Sequence, residues 1–116
     1  MVYTASCGSL AVLEYMANLK RLPGNMVLLL IEIPETLRIA ESRWNPGDLG
    51  TSRQIGDEWL ESKDTPVLRV PSALIPRQTN YLLNPEHPLF GAIQVIEITP
   101  FAFDRRLLSP ATSPVI

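Results

Sequence analysis

Met26-Val27-Leu28-Leu29-Leu30-Ile31-Glu32-Ile33 is the stretch that decides the fold class. Met26 to Ile31 is the longest apolar run in the chain, six residues, where a membrane span needs about 20. Pro23-Gly24 precedes it and Pro34 closes it. A short apolar run bounded by breakers reads as a buried strand, here a central one. Before it, Leu10 to Leu22 is apolar or helix-favouring at nearly every position, and Pro23-Gly24 stops it. Only Glu14, Asn18 and Arg21 form a polar strip, so this helix is expected to be buried almost all round. A helix and a strand in direct succession put the chain among mixed α and β proteins.

Outward from that pair the elements alternate. Met1-Val2-Tyr3-Thr4-Ala5 reads as the end of a strand and Ser6 to Ser9 as a loop. Residues 35–50 carry turn signals and read as one long loop. Thr51 with Gln54 matches a capping box and opens a helix to about Ser62, with Ile55 and Trp59 on one face. Pro66 to Val70 is a short strand closed by Pro71. Leu74 to Leu83 is irregular or extended. Pro85 starts a helix of one or two turns ending near Gly91. Ile93, Val95 and Ile98 mark a last strand, with Phe101 and Phe103 suited to packing at a sheet edge. Residues 109–116 read as a loose tail.

Composition narrows the function classes. The chain has 116 residues, 46% hydrophobic and 19% charged, which is globular composition. A chain of this size buries roughly two-thirds of its unfolded surface, enough for one core. Ten Lys+Arg against twelve Asp+Glu give a net charge of −2. Nothing there favours nucleic acid or an anionic membrane as partner. Cys7 and His87 are single, which excludes an intrachain disulfide and the usual Cys/His zinc sites. The N-terminus has no signal-peptide pattern, and the default compartment is the cytoplasm.

Several residues carry two readings. Glu14 is either part of a solvated strip or a carboxylate turned to a cleft from a rigid helix. Ser72 is either a turn serine bonding its own backbone or a hydroxyl presented at a strand end. Tyr3 reads most simply as a strand aromatic packed on the core. Cys7 reads as a small packed residue, and a Cys7–His87 hydrolase pair is the remote alternative. No Gly-x-Ser-x-Gly elbow occurs, and Gly47-Asp48-Leu49-Gly50 is no phosphate loop.

Taken in order, a set of motifs resembles the RES domain family, named for its Arg, Glu and Ser. They are Val2-Tyr3-Thr4-Ala5, Leu10-Ala11-Val12-Leu13-Glu14, Ile55-Gly56-Asp57-Glu58-Trp59-Leu60 and Val67-Leu68-Arg69-Val70-Pro71-Ser72-Ala73. Asn80-Tyr81-Leu82-Leu83-Asn84-Pro85, His87-Pro88 and Phe101-Ala102-Phe103-Asp104 complete the set. The resemblance implies an α+β fold with a mixed sheet and an ADP-ribosyltransferase-like cleft. It implies a toxin that consumes NAD by hydrolysis or phosphorolysis, or transfers ADP-ribose to a protein. NAD is then a substrate, and no cofactor is implied. The implied partner is an Xre-type helix-turn-helix antitoxin. By position, Glu14 corresponds to the family Glu, Ser72 to the family Ser, and Tyr3 to a cleft tyrosine. The family Arg lies upstream of the Tyr-Thr-Ala strand, within a Gly-Gly-Arg-Trp-Asn segment. Arg43-Trp44-Asn45-Pro46-Gly47 is similar to that segment but follows the Glu helix, and reads as a coincidence in the loop. Asn18 stands where many relatives carry His. On this reading residues 1–108 are the C-terminal two-thirds of a RES domain, and self-association through an open sheet edge is expected. The competing reading is a catalytically inactive fragment that acts only by binding.

Overall fold

A computed structural model describes residues 1–17, 24–42, 44, 45 and 47–107. The elements in chain order are β1 (Val2–Ala5), α1 (Gly8–Met16), β2 (Met26–Glu32), β3 (Ile39–Glu41), α2 (Leu49–Ser62), β4 (Val67–Pro71), β5 (Thr79–Leu83) and β6 (Gln94–Phe101). Single 3₁₀ turns lie at Phe90–Ala92 and Arg105–Leu107. The class is α+β, as expected. Asn18, Arg21, Arg43, Pro46 and the tail 109–116 lie outside the described residues.

A mixed four-stranded sheet runs β1-β5-β4-β3. β5 is antiparallel to both β1 and β4, while β3 and β4 are parallel, joined through α2. Paired residues share a face, so Leu82 and Leu68 project together, as do Asn80 and Val70. Trp59 of α2 packs on Leu68, Val70 and Leu82, with Ala40, Trp44 and Leu60 around them. Ser52, Ile55, Gly56, Trp59 and Leu60 are the inward residues of α2, which is helical spacing. Across β4 and β5, the opposite face carries Val67 and Leu83, both buried, then the half-exposed Arg69–Glu41 ion pair beside Tyr81.

Several expectations need correction. α2 starts at Leu49, because Asp48 is its N-cap and accepts from the Thr51 amide at 3.1 Å. Thr51 instead donates its hydroxyl back to Asp48 at 2.8 Å. The loop over 35–50 contains β3, a three-residue edge strand too short to alternate visibly. Leu74 to Leu83 ends in β5, an inner strand of the sheet. The segment after Pro85 forms turns closed by a 3₁₀ turn.

The largest difference is β2. Among the described residues it pairs only with β6, as a separate two-stranded sheet, and is not a central strand. Val27, Leu29 and Leu30 on β2 and Val95, Ile96 and Ile98 on β6 are each about half exposed or more. β6 also runs through Pro100 to Phe101, whose ring meets that of Phe103 edge-on at 4.9 Å. Phe103 in turn stacks on Tyr15 at 6.0 Å.

A polar clasp lies within the core. Trp59 Nε1 donates to Thr65 Oγ1 at 3.0 Å, and Thr65 donates to the Val67 carbonyl at 2.8 Å. Thr65 is 1% exposed, so it ties α2 to the start of β4 away from water. Thr65→Val orphans the Trp59 N–H and is expected to lower unfolding free energy by about 1–3 kcal/mol. Thr65→Ser, which keeps both bonds, is expected to lose less than half as much. Urea denaturation followed by tryptophan fluorescence measures both.

Candidate functional site

Four side chains meet where α1 crosses the sheet: Tyr3 from β1, Glu14 from α1, Ser72 just beyond β4, and Asn80 from β5. Sequence reading named the first three, and the structure brings all three together. Asn80 was not singled out.

Glu14 sits one helical turn after Leu10, and Leu10 is the residue α1 buries, at 3% exposure. Residues four apart share a helix face, so the carboxylate turns toward the sheet. The solvated-strip reading of Glu14 is therefore corrected. So is the fully buried helix: Leu13 and Tyr15, flanking Glu14, are about half exposed.

The carboxylate is held at one oxygen. Ser72 Oγ donates to Glu14 Oε1 at 2.7 Å, and Asn80 Nδ2 donates to the same atom at 2.9 Å. Two donors on one oxygen fix the side chain. Glu14 Oε2 has no hydrogen-bond partner among the described residues.

Ser72 fulfils both of its readings at once. Its hydroxyl accepts from the Leu74 amide at 3.1 Å and the Ile75 amide at 3.2 Å, which makes it a turn serine. The same oxygen gives its one proton to Glu14. The Ser72 amide donates to the Gln78 carbonyl at 2.8 Å, so the turn returns directly into β5.

Tyr3 pairs with Leu82 across β1 and β5, which places it diagonal to Asn80 on the same face. Asn80 Nδ2 donates to Tyr3 Oη at 2.9 Å. Half of the tyrosine remains exposed, so it borders the site rather than packing into the core. Burial of the phenol and the nearby Glu14 charge push its pKa above the usual 10.0, against a smaller opposing effect of the Asn80 N–H.

The remaining candidates stand apart. Cys7 is exposed at the N-cap of α1, not packed, with Ser9 Oγ 3.7 Å from its sulfur. His87 Nδ1 accepts from the Leu89 amide at 3.0 Å in the turn after β5. No hydrogen bond joins Cys7 to His87 among the described residues. Trp44 lies at the edge of the core, its indole N–H reaching the carbonyl of Pro71 at 3.4 Å. No helix among the described residues is long and apolar enough to cross a membrane.

The RES domain family model matches residues 1–104. The Prs ADP-ribosylating toxin of Sphingobium sp. (strain YBL2) is 32% identical over 123 residues, covering 96% of this chain and 76% of that protein. Toxin Res of Yersinia enterocolitica is 35% identical over 117 residues, covering 91% of this chain and 76% of its own length. Toxin Res of Pseudomonas putida is 36% identical over 110 residues, covering 86% and 76%.

A raised phenol pKa has a definite sign. The folded state holds the Tyr3 proton more tightly, so this contribution to stability is full below pH 10 and falls as pH rises through the folded value. Glu14→Gln removes the charge and is expected to bring the Tyr3 titration down. Carbon NMR of ring-labelled tyrosine, with Tyr3→Phe to assign the signal, measures the change.

Proposed function

The chain belongs to the RES domain family, and we propose that it is a toxin that cleaves the nicotinamide–ribose bond of NAD and is neutralised by an Xre-type helix-turn-helix antitoxin. One observation carries the reading. Glu14 is pinned at Oε1 by Ser72 and Asn80, and its Oε2 has no hydrogen-bond partner among the described residues, beside the half-exposed Tyr3. The name of the Sphingobium relative supports it, because ADP-ribosylation by NAD begins by breaking this bond.

In the proposed step the C1′–N1 bond breaks and its electron pair leaves with neutral nicotinamide. Positive charge develops on the ribose ring as an oxocarbenium-like species. A carboxylate about 4 Å from that charge contributes roughly 4 kcal/mol at an effective dielectric near 20. Glu14 supplies it through Oε2, and its fixed position means that no reorganisation is needed as charge appears. The same oxygen can accept from a ribose hydroxyl and orient the sugar. Tyr3 packs against the nicotinamide side. Ser72 acts through Glu14, since its one proton is already committed there. Water, phosphate or a protein side chain then adds to C1′ and loses its proton.

A second reading rests on the β2–β6 ribbon. Its half-exposed apolar side chains on both strands favour a chain that acts by binding a partner or a second copy. Nicotinamide release from NAD separates the two. With and without phosphate, the proposed enzyme releases nicotinamide, and Glu14→Gln lowers the rate by about 100-fold or more, the scale of losing one electrostatic stabiliser. An unchanged rate in Glu14→Gln overturns the role of Glu14. A folded wild-type chain without release leaves the binding reading.

A further inference from the structure

We infer that Asn80 is the positioning residue of this site: it fixes Glu14 in place and sets Tyr3 as an outward hydrogen-bond donor. The second half rests on the NAD-cleaving reading only for what receives that proton, an acceptor oxygen of the nucleotide.

Asn80 is fully buried, at 0% exposure, on an inner strand. A buried asparagine in that position is costly unless its polar atoms are used. Its amide nitrogen is used twice, at 2.9 Å to Glu14 Oε1 and at 2.9 Å to Tyr3 Oη. An amide nitrogen has two protons, so both are spent. Asn80 Oδ1 has no partner among the described residues. A residue selected only for packing would be apolar here, as Leu82 and Val70 beside it are.

The amide orientation follows from chemistry. Turning the amide over would set Oδ1 against the carboxylate oxygen, acceptor against acceptor. Nitrogen must therefore face Glu14, and its second proton then faces Tyr3. It follows that Tyr3 Oη accepts from Asn80 and cannot also donate to that nitrogen. The phenol proton is left for a group outside this network. Tyr3 is half exposed, so that group can be a ligand. The polarity thus runs from the core outward: Asn80 donates to Tyr3, and Tyr3 donates to the ligand. Ala5, opposite Asn80 in β1, is small enough to leave the amide room to reach both partners. The downward pull of the Asn80 N–H on the Tyr3 phenol agrees with this direction of donation.

Asn80→Asp keeps the shape and reverses the polarity. The new carboxylate accepts the Tyr3 proton and stands against Glu14. The Tyr3 titration, followed without substrate by carbon NMR of ring-labelled tyrosine, is expected to rise by about one pH unit or more. Nicotinamide release is expected to fall about tenfold or more in kcat, with a smaller change in KM. On a Tyr3→Phe background the same substitution is expected to cost less than on wild type. Asn80→Ser, which replaces the two N–H donors by a single O–H on a shorter side chain, replaces the first variant if that one does not fold, with the same upward direction. A folded variant with an unmoved Tyr3 titration overturns the inference, whatever its activity. A wild-type chain that releases no nicotinamide defeats the NAD reading instead, and the Tyr3 titration still decides the role of Asn80.

Discussion

Val70 and Asn80 face each other across β4 and β5, and the geometry of the site depends on that register. It continues as Pro71 opposite Thr79 and closes in the bond from the Ser72 amide to the Gln78 carbonyl. Ser72 and Asn80 thereby stand close enough to grip one carboxylate oxygen from two strands. A slip of one residue would send Asn80 to the face now held by Tyr81 and Arg69. Leu68, Leu82 and Val70 would leave Trp59 at the same time. Core and site therefore share one register, and the apolar burial that enforces the first enforces the second.

Helix α1 meets the sheet on different terms. It buries Leu10 and presents Glu14 on the same face, so the contact of helix with sheet is apolar at one turn and ionic at the next. A carboxylate taken partly out of water needs donors, and the sheet provides two of them. Both go to Oε1. Spending them on one oxygen holds the side chain still and leaves the other oxygen without a hydrogen-bond partner among the described residues. This is the arrangement an electrostatic stabiliser requires: rotamer entropy is lost on folding rather than during the reaction.

Much of this was legible in the residues, and the rest had physical reasons to stay hidden. β1, β4 and α2 follow from breakers, β-branched runs and the spacing of Ile55 and Trp59. Tyr3, Glu14 and Ser72 came from matching motifs rather than from periodicity. Periodicity misassigned Glu14, because a helix this apolar has no clear outside, and a lone carboxylate looks solvated. Leu10, four residues earlier, was the available signal. β5 reads only as irregular or extended because Thr79-Asn80-Tyr81-Leu82-Leu83 is covered on both faces at its end, which erases alternation. β3 is three residues long and lies on an edge. The N-cap of α2 was placed three residues late, because Asp48 and Thr51 both have capping side chains and bond to each other. β2 misled in the opposite direction. Its run is as apolar as an inner strand, yet among the described residues the one strand it pairs with is β6.

Ser72 shows why a turn residue and a site residue need not be alternatives. Two backbone amides of the turn point at its oxygen, which leaves a single direction for its proton. That direction is Glu14. The turn therefore acts as a rotamer lock on the hydroxyl, and the hydroxyl as a lock on the carboxylate. Asn80 repeats the device from the neighbouring strand, where the ladder rather than a turn holds the backbone. In both cases the backbone first fixes a small polar group, and that group then fixes one oxygen of the Glu14 carboxylate. Replacing both groups by apolar residues of similar size would remove both holds and leave Glu14 free to swing on its own bonds. Local backbone order is thus carried outward, through two hydrogen bonds converging on Oε1, to the carboxylate as a whole.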